Sequence, residues 1–249
     1  MNNTLTNGLA LLQYLATTPR PYGVTELSEQ LSLPKSHVHR LLQTLYEAKY
    51  VEKHRAQYKI GIGALRLGHA LLYDMPVRRI ALPLMQAKAV GLNQQLTLAL
   101  PFGDDALSVA DISPDGSVKS PSFALGAVLK AGYTASGKLF SAYRTAEEQS
   151  EVATNIDWGS LAGPKAAKSE IEWKLGLKDI ATQGYSINNE ETTSEAVSMA
   201  VAIFHESSQP LAALGASDLR KNCPPETWGH IIEQLKNMAD EIQTQLKEQ

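Results

Sequence analysis

Three stretches carry side chains of the kind that hold other molecules. The first is Lys35-Ser36-His37-Val38-His39-Arg40-Leu41-Leu42-Gln43. The guanidinium of Arg40 can pair with two acceptors of guanine, and the amide of Gln43 can do the same with adenine. Lys35 and Ser36, at the start of a helix with free N–H groups, suit phosphate oxygens. The second is Lys53-His54-Arg55, a basic tip between two short alternating runs. The third is Thr134-Ala135-Ser136-Gly137-Lys138, where a hydroxyl and exposed N–H groups meet at a helix start; that combination favours an anion or a polar neutral group.

Other chemistry is thinner. Gly132 to Lys138 spells most of a phosphate-binding loop, Gly-x4-Gly-Lys, but Leu139 stands where a Ser or Thr would hold magnesium. His37 and His39 are two apart, off a common helix face, and no Cys or His cluster completes a metal site. Cys223 is the one cysteine, so a disulfide framework is excluded. No base is paired by motif with Ser136 or Cys223. The sequence therefore predicts no catalytic residue, no metal and no cofactor. Glu147-Glu148, Glu190-Glu191 and Asp104-Asp105 read as solvated pairs.

The elements that position the first two stretches come early. A helix is expected over Thr6–Ala16, ended by Pro19-Arg20-Pro21. Thr25 stands as the N-cap of a second helix, with Glu26 in its first turn and Leu27 and Leu31 inward. Ser32-Leu33 make a turn, and Pro34 opens a third helix to about Ala48. On it Val38, Leu41, Leu42 and Leu45 form the core face, and Ser36, His39, Arg40, Gln43 and Glu47 lie opposite. Tyr50–Lys53 and Gln57–Ile60 alternate as two strands around the turn His54-Arg55-Ala56. Helix, three-residue turn, helix and hairpin make a winged helix-turn-helix, in which the third helix enters the DNA major groove.

The 249 residues suit two domains. Residues 1–75 carry 8 Lys and Arg against 5 Asp and Glu, and residues 76–249 carry 15 against 21. A basic head on an acidic body fits contact with DNA through one end. The polar start Met1–Gly8 does not read as a signal peptide, and no apolar run approaches a membrane span; the expectation is a cytoplasmic protein. We expect a DNA-binding domain over 1–62, a linker helix over 63–75 and a body over 76–249. The helix Pro76–Asn93 must kink or restart at Pro83. The body then reads as α+β. Strands are expected at Leu96–Pro101, Leu107–Ile112, Val118–Phe123, Gly184–Ile187, Ala196–Phe204 and Pro210–Ala216. Helices are expected at Leu139–Tyr143, at Ser169–Gln183 through Ile171, Leu175, Leu177 and Ile180, and from Pro224-Pro225 onward, all to one side of an antiparallel sheet.

The run Leu33–Leu45 resembles the recognition helix of IclR-type transcriptional regulators. Thr134–Lys138, Gly184–Glu191, Val201–Phe204 and Pro210–Leu214 resemble that family's body segments in order and spacing. The resemblance implies a winged helix-turn-helix, a linker helix and a GAF-like effector domain. It implies homodimers or tetramers on a palindromic double-stranded operator, with small organic or aromatic acids as effectors. The DNA-binding set is then Thr25, Lys35, Ser36, His37, His39, Arg40, Gln43, Lys53, His54 and Arg55. The effector set is Thr134, Ala135, Ser136, Asn188, Ser198 and Ser217. This sequence departs from the family at three pocket positions: Gly132 replaces a His, Asn188 an acid and Ser198 a Cys. Two alternatives stay open, a regulator with a decayed pocket and an enzyme carrying a DNA-binding head.

Overall fold

The computed structural model describes residues 2–17, 20–115, 125–159 and 163–248. The chain divides into two compact units, Met1–Asp74 and Met75–Gln249.

The first unit contains α1 (Asn3–Thr17), β1 (Tyr22–Gly23), α2 (Val24–Gln30), α3 (Lys35–Glu47), β2 (Val51–His54), β3 (Gln57–Ile60) and α4 (Gly63–Tyr73). Leu11, Leu15, Leu27, Val38, Leu41, Leu42, Val51 and Tyr58 form one buried cluster, so three helices and the hairpin share a core. The two-residue strand β1 lacks any alternating pattern and was not foreseen; it pairs with β3 through Tyr22 and Tyr58. Thr25 is not the N-cap. Gly23 caps α2 in extended geometry, and Thr25 lies exposed within the first turn. Pro34 is itself the cap of α3 rather than its first residue. The turn between α2 and α3 passes through Ser32 at a φ of 53°, and the Ser28 hydroxyl donates to the Leu33 carbonyl across it (2.6 Å).

Helix α4 has no buried residue within the structure, and Leu65, Leu67, Leu71 and Tyr73 are exposed around its circumference.

The second unit is built on a six-stranded antiparallel sheet in the order β6-β5-β4-β9-β8-β7. Its strands are β4 (Gln95–Phe102), β5 (Asp105–Ile112), β6 (Val128–Leu129), β7 (Tyr185–Asn189), β8 (Ala196–Phe204) and β9 (Pro210–Leu219). Its helices are α5 (Pro76–Leu92), α6 (Ala135–Ala142), α7 (Ala146–Thr154), α8 (Glu170–Gln183) and α9 (Pro225–Lys247). The helix through Pro83 does not restart: α5 is continuous. The expected strand at Val118–Phe123 lies outside the described residues.

Helices cover both sheet faces, not one. Ala99, Ala200, Ala202 and Ala213 face α6, α7 and α8 in a single buried cluster that contains no residue of α5 or α9. Alternation sends Met199, Val201 and Leu214 to the other face, where α5 and α9 pack. Small alanines let α6 approach closely. Gly137 is needed for the same reason: a Cβ there would overlap the backbone of Lys130. On α8 the buried side chains are Trp173, Leu177 and Ile180, while Ile171 and Leu175 are exposed. The indole of Trp173 donates to the Ala131 carbonyl (3.0 Å) and selects that face.

Candidate functional site

On α3 the core residues leave Ser36, His39, Arg40 and Gln43 on the exposed side, with Lys35 exposed at its start. His37 is different. It is half-buried and bridges two elements: its Nδ1 lies 3.0 Å from the Arg40 guanidinium and its Nε2 lies 3.2 Å from the Asn7 amide on α1. Arginine can only donate, so Nδ1 accepts from Arg40; Nε2 donates to Asn7 when the amide turns its oxygen, rather than its nitrogen, toward the ring. His37 therefore aims Arg40 and ties α3 to α1. Gln43 donates to Glu47 (2.8 Å). In the wing, Lys53, His54 and Arg55 are all exposed. Arg55 turns the hairpin at a φ of 56°, and His54 belongs to strand β2, paired with Gln57, rather than to the turn.

In the body, the sheet face beneath α6 changes character along its length. The alanine row Ala99, Ala213 and Ala202 is apolar. The next row in register holds Asp111, Thr97, Gly215 and Ala200, and the row beyond holds Gln95, Ser217, Ser198 and Asn188. This polar half is where the helices leave a space. A small inner cavity of about 50 Å³ is lined by Thr97, Thr134, Ala135, Ser136, Asn188, Ser198 and Ser217 among others. A larger outer one of about 400 Å³ shares Asn188, Thr192, Ser198 and Ser217 with it and adds Asn93, Gln95, Asp115, Asp218 and Asn222. The six residues expected of an effector set thus all line the inner cavity.

Hydrogen bonds fix this lining. The Thr134 hydroxyl caps α6 by accepting from Gly137 N–H (3.1 Å), and it donates to the Lys130 carbonyl (2.8 Å). Asn188 accepts from Glu191 N–H (2.8 Å) and donates to the Thr192 hydroxyl (3.1 Å), so one amide holds the β7–β8 loop over the cavity. Lys138, inside the α6 first turn, spans to the same loop. Its ammonium lies 2.6 Å from Glu191 and 2.8 Å from the Ile187 carbonyl. Burial pushes Lys138 down and Glu191 up from their usual ranges, and their mutual attraction opposes both.

Asp111 lies beneath the inner cavity. Its carboxylate accepts from the Thr97 hydroxyl (2.6 Å) and from the Ser108 hydroxyl, and burial pushes it above the ordinary range of an aspartate. Sequence reasoning missed Asp111, Thr97 and Thr192. The alternation of β4 and β5 placed Thr97 and Asp111 on strands, but a polar residue on a strand gives no sign of facing a cavity.

Other expectations are corrected. Glu191 is buried in an ion pair rather than solvated. Asp105 is largely covered beside Lys130 (2.8 Å), whereas Asp104 and Glu148 keep the solvent contact expected of them: Asp104 meets Arg144 at the surface (3.3 Å), and exposed Glu148 closes a capping box with Thr145 at the start of α7. The Gly-Lys of the phosphate-loop lookalike has other work: Gly137 permits close packing and Lys138 forms the ion pair. Cys223 is buried, and burial pushes its thiol up, away from a reactive thiolate. Among the described residues no group of three or more His, Cys, Asp and Glu is placed to hold a metal, and no helix is long and apolar enough to cross a membrane.

Family models match both units: the "IclR helix-turn-helix domain" over residues 4–55 and the "Bacterial transcriptional regulator IclR C-terminal" over residues 69–244. The chain belongs to the IclR family. It is a transcriptional regulator of that family. An uncharacterized HTH-type transcriptional regulator of Haemophilus influenzae is 26% identical, covering 98% of this chain and 93% of its own length. The IclR transcriptional regulator of Alicyclobacillus acidocaldarius shares the fold with a TM-score of 0.83 at 19% identity, over 98% of both chains. An IclR homologue of Microbacterium hydrocarbonoxydans, complexed with 4-hydroxybenzoate, shares it with a TM-score of 0.77 at 21% identity, over 99% of this chain and 100% of that one.

Proposed function

We propose that this IclR-family chain binds a palindromic operator through α3 and the wing, and that a small organic molecule in the α6 cavity controls that binding. The observation that carries the reading is the joined cavity over the polar half of the sheet, roofed by α6 and the β7–β8 loop. Its outer part falls within the range of small-molecule sites. A neighbour of the same fold holds 4-hydroxybenzoate, which supports effector binding. A cavity of this size, tied to a loop by Asn188 and Lys138, favours a working sensor over a decayed one. A binder that shifts a conformational balance needs no turnover.

DNA contact rests on Lys35, Ser36, His39, Arg40 and Gln43 for α3, on Lys53, His54 and Arg55 for the wing, and on Thr25 near the start of α2. His37 acts through Arg40. The head carries few positive charges, so one head binds weakly. Pairing of heads supplies the remainder, and the exposed Leu65, Leu67, Leu71 and Tyr73 of α4 support self-association as a dimer or higher oligomer.

The test is fluorescence anisotropy with a duplex selected from a random pool by the wild-type protein, against a scrambled duplex. Arg40→Ala is expected to weaken the selected duplex by about 1–3 kcal/mol and to leave the scrambled one nearly unchanged. Equal affinity of Arg40→Ala and wild type for the selected duplex refutes the assignment of α3.

A further inference from the structure

We infer that the α6 cavity takes an uncharged, hydroxyl-rich ligand, a polyol or sugar, and disfavours carboxylates. This rests on the proposed effector role of the cavity and names its ligand class.

Among the described residues around the cavity the charged side chains are acidic. Asp218 lines the outer part, and Asp111 lies against Thr97 under the inner part. No Lys or Arg is among the described residues that line either part. The nearest candidate, Lys138, is spent: it is mostly covered, ion-paired with Glu191 and bonded to the Ile187 carbonyl. An incoming carboxylate would leave water for a site whose described lining offers it no cation, and a buried unpaired charge is strongly disfavoured. The start of α6 adds a partial positive charge; Thr134 occupies the Gly137 N–H, and the other N–H groups of that turn suit a hydroxyl oxygen as well as an anion.

Hydrogen-bond direction points the same way. The Thr97 hydroxyl donates to Asp111, so toward the cavity it presents lone pairs. Asp218 accepts from Asn222 and from Leu219 N–H, and as a carboxylate it has no proton to give. These atoms ask the ligand to donate, which a carboxylate group cannot. Asn93, Ser198 and Ser217 can donate, so the ligand must also accept. A hydroxyl does both, whereas an ammonium only donates. Among the described lining residues there is neither an aromatic ring to stack on an aromatic acid nor a cation to pair with it.

The experiment measures thermal shift and calorimetric affinity of the full chain, near neutral pH, with matched pairs. These are ribitol and ribonate, glucose and gluconate, erythritol and erythronate, with 4-hydroxybenzyl alcohol and 4-hydroxybenzoate as aromatic controls. We expect at least one neutral polyol or sugar to raise the melting temperature, and its acid partner to bind at least about tenfold more weakly. In the variant Asp218→Asn that ratio shrinks. An acid that binds as tightly as its neutral partner overturns the inference. If that acid's binding is lost in Ser198→Ala, the sensor reading still stands. Absence of any shift with all of these compounds overturns both.

Discussion

Replacing one member of the Lys138–Glu191 pair should damage the body far more than replacing both. The two side chains are 12% and 13% exposed and their charged atoms lie 2.6 Å apart. At an effective dielectric constant of about 20, unit charges at that distance attract by about 6 kcal/mol. Burying the two ions costs several kcal/mol each, so the intact pair is close to neutral for stability. Lys138→Met removes the attraction and leaves the Glu191 carboxylate largely out of water, and Glu191→Leu does the reverse to Lys138. Each single variant should lose about 3–5 kcal/mol, and the double variant Lys138→Met, Glu191→Leu should lie within about 2 kcal/mol of wild type. All three tryptophans, Trp158, Trp173 and Trp228, belong to the second unit. Their fluorescence in a urea titration therefore reports the body alone, and heating gives the same order, with about 2–4 °C lost per kcal/mol for a unit of this size. Additive losses in the double variant, or single losses below about 1 kcal/mol, would refute the claim that the pair is a coupled, desolvated unit.

Two further outcomes follow from the same geometry. Asp111 is held above its unfolded range by burial, so the fold binds its proton more tightly than the unfolded chain does. Its contribution to stability is full below the unfolded value of 3.8 and is lost as the pH rises through the folded value. Asp111→Asn should accordingly be more stable than wild type at neutral pH, with the gap closing as the pH falls toward 4, measured by urea titration at several pH values. On α4, Leu67→Glu with Leu71→Glu should lower the oligomer mass in light scattering and weaken binding to the selected duplex. The melting of the second unit should be unchanged, because neither residue contributes to a core in this chain.

How far the sequence reveals this molecule depends on how local each determinant is. The core face of α3 is written in the spacing of Val38, Leu41, Leu42 and Leu45, and the long strands β8 and β9 in runs of apolar residues between turns. Helix α7 was not foreseen because AEEQSEVAT has no apolar stripe; its capping box at Thr145 and Glu148 is the signal that was available. The face of α8 was misjudged because Ile171 and Leu175 outrank Trp173 on periodicity, whereas the indole is fixed by a carbonyl 42 positions away. In the cavity, Thr134 to Ser136 were legible as a helix start. Asp111 and Thr97 were not, because strand register alone brings them beneath α6. Glu191 looked like half of a solvated acidic pair until a lysine 53 positions distant met it.

Helix α4 has eleven residues and no core of its own. Isolated helices shorter than about 12–15 residues are marginal in water, so its helicity depends on what covers it. As a helix it spans about 16 Å; extended, the same residues reach about 36–40 Å. Covered by a second copy, the segment is a fixed spacer that admits one separation between operator half-sites. Uncovered, it is a tether that tolerates many. Discrimination among half-site spacings should therefore sharpen with protein concentration, even where the contacts to each half-site stay the same.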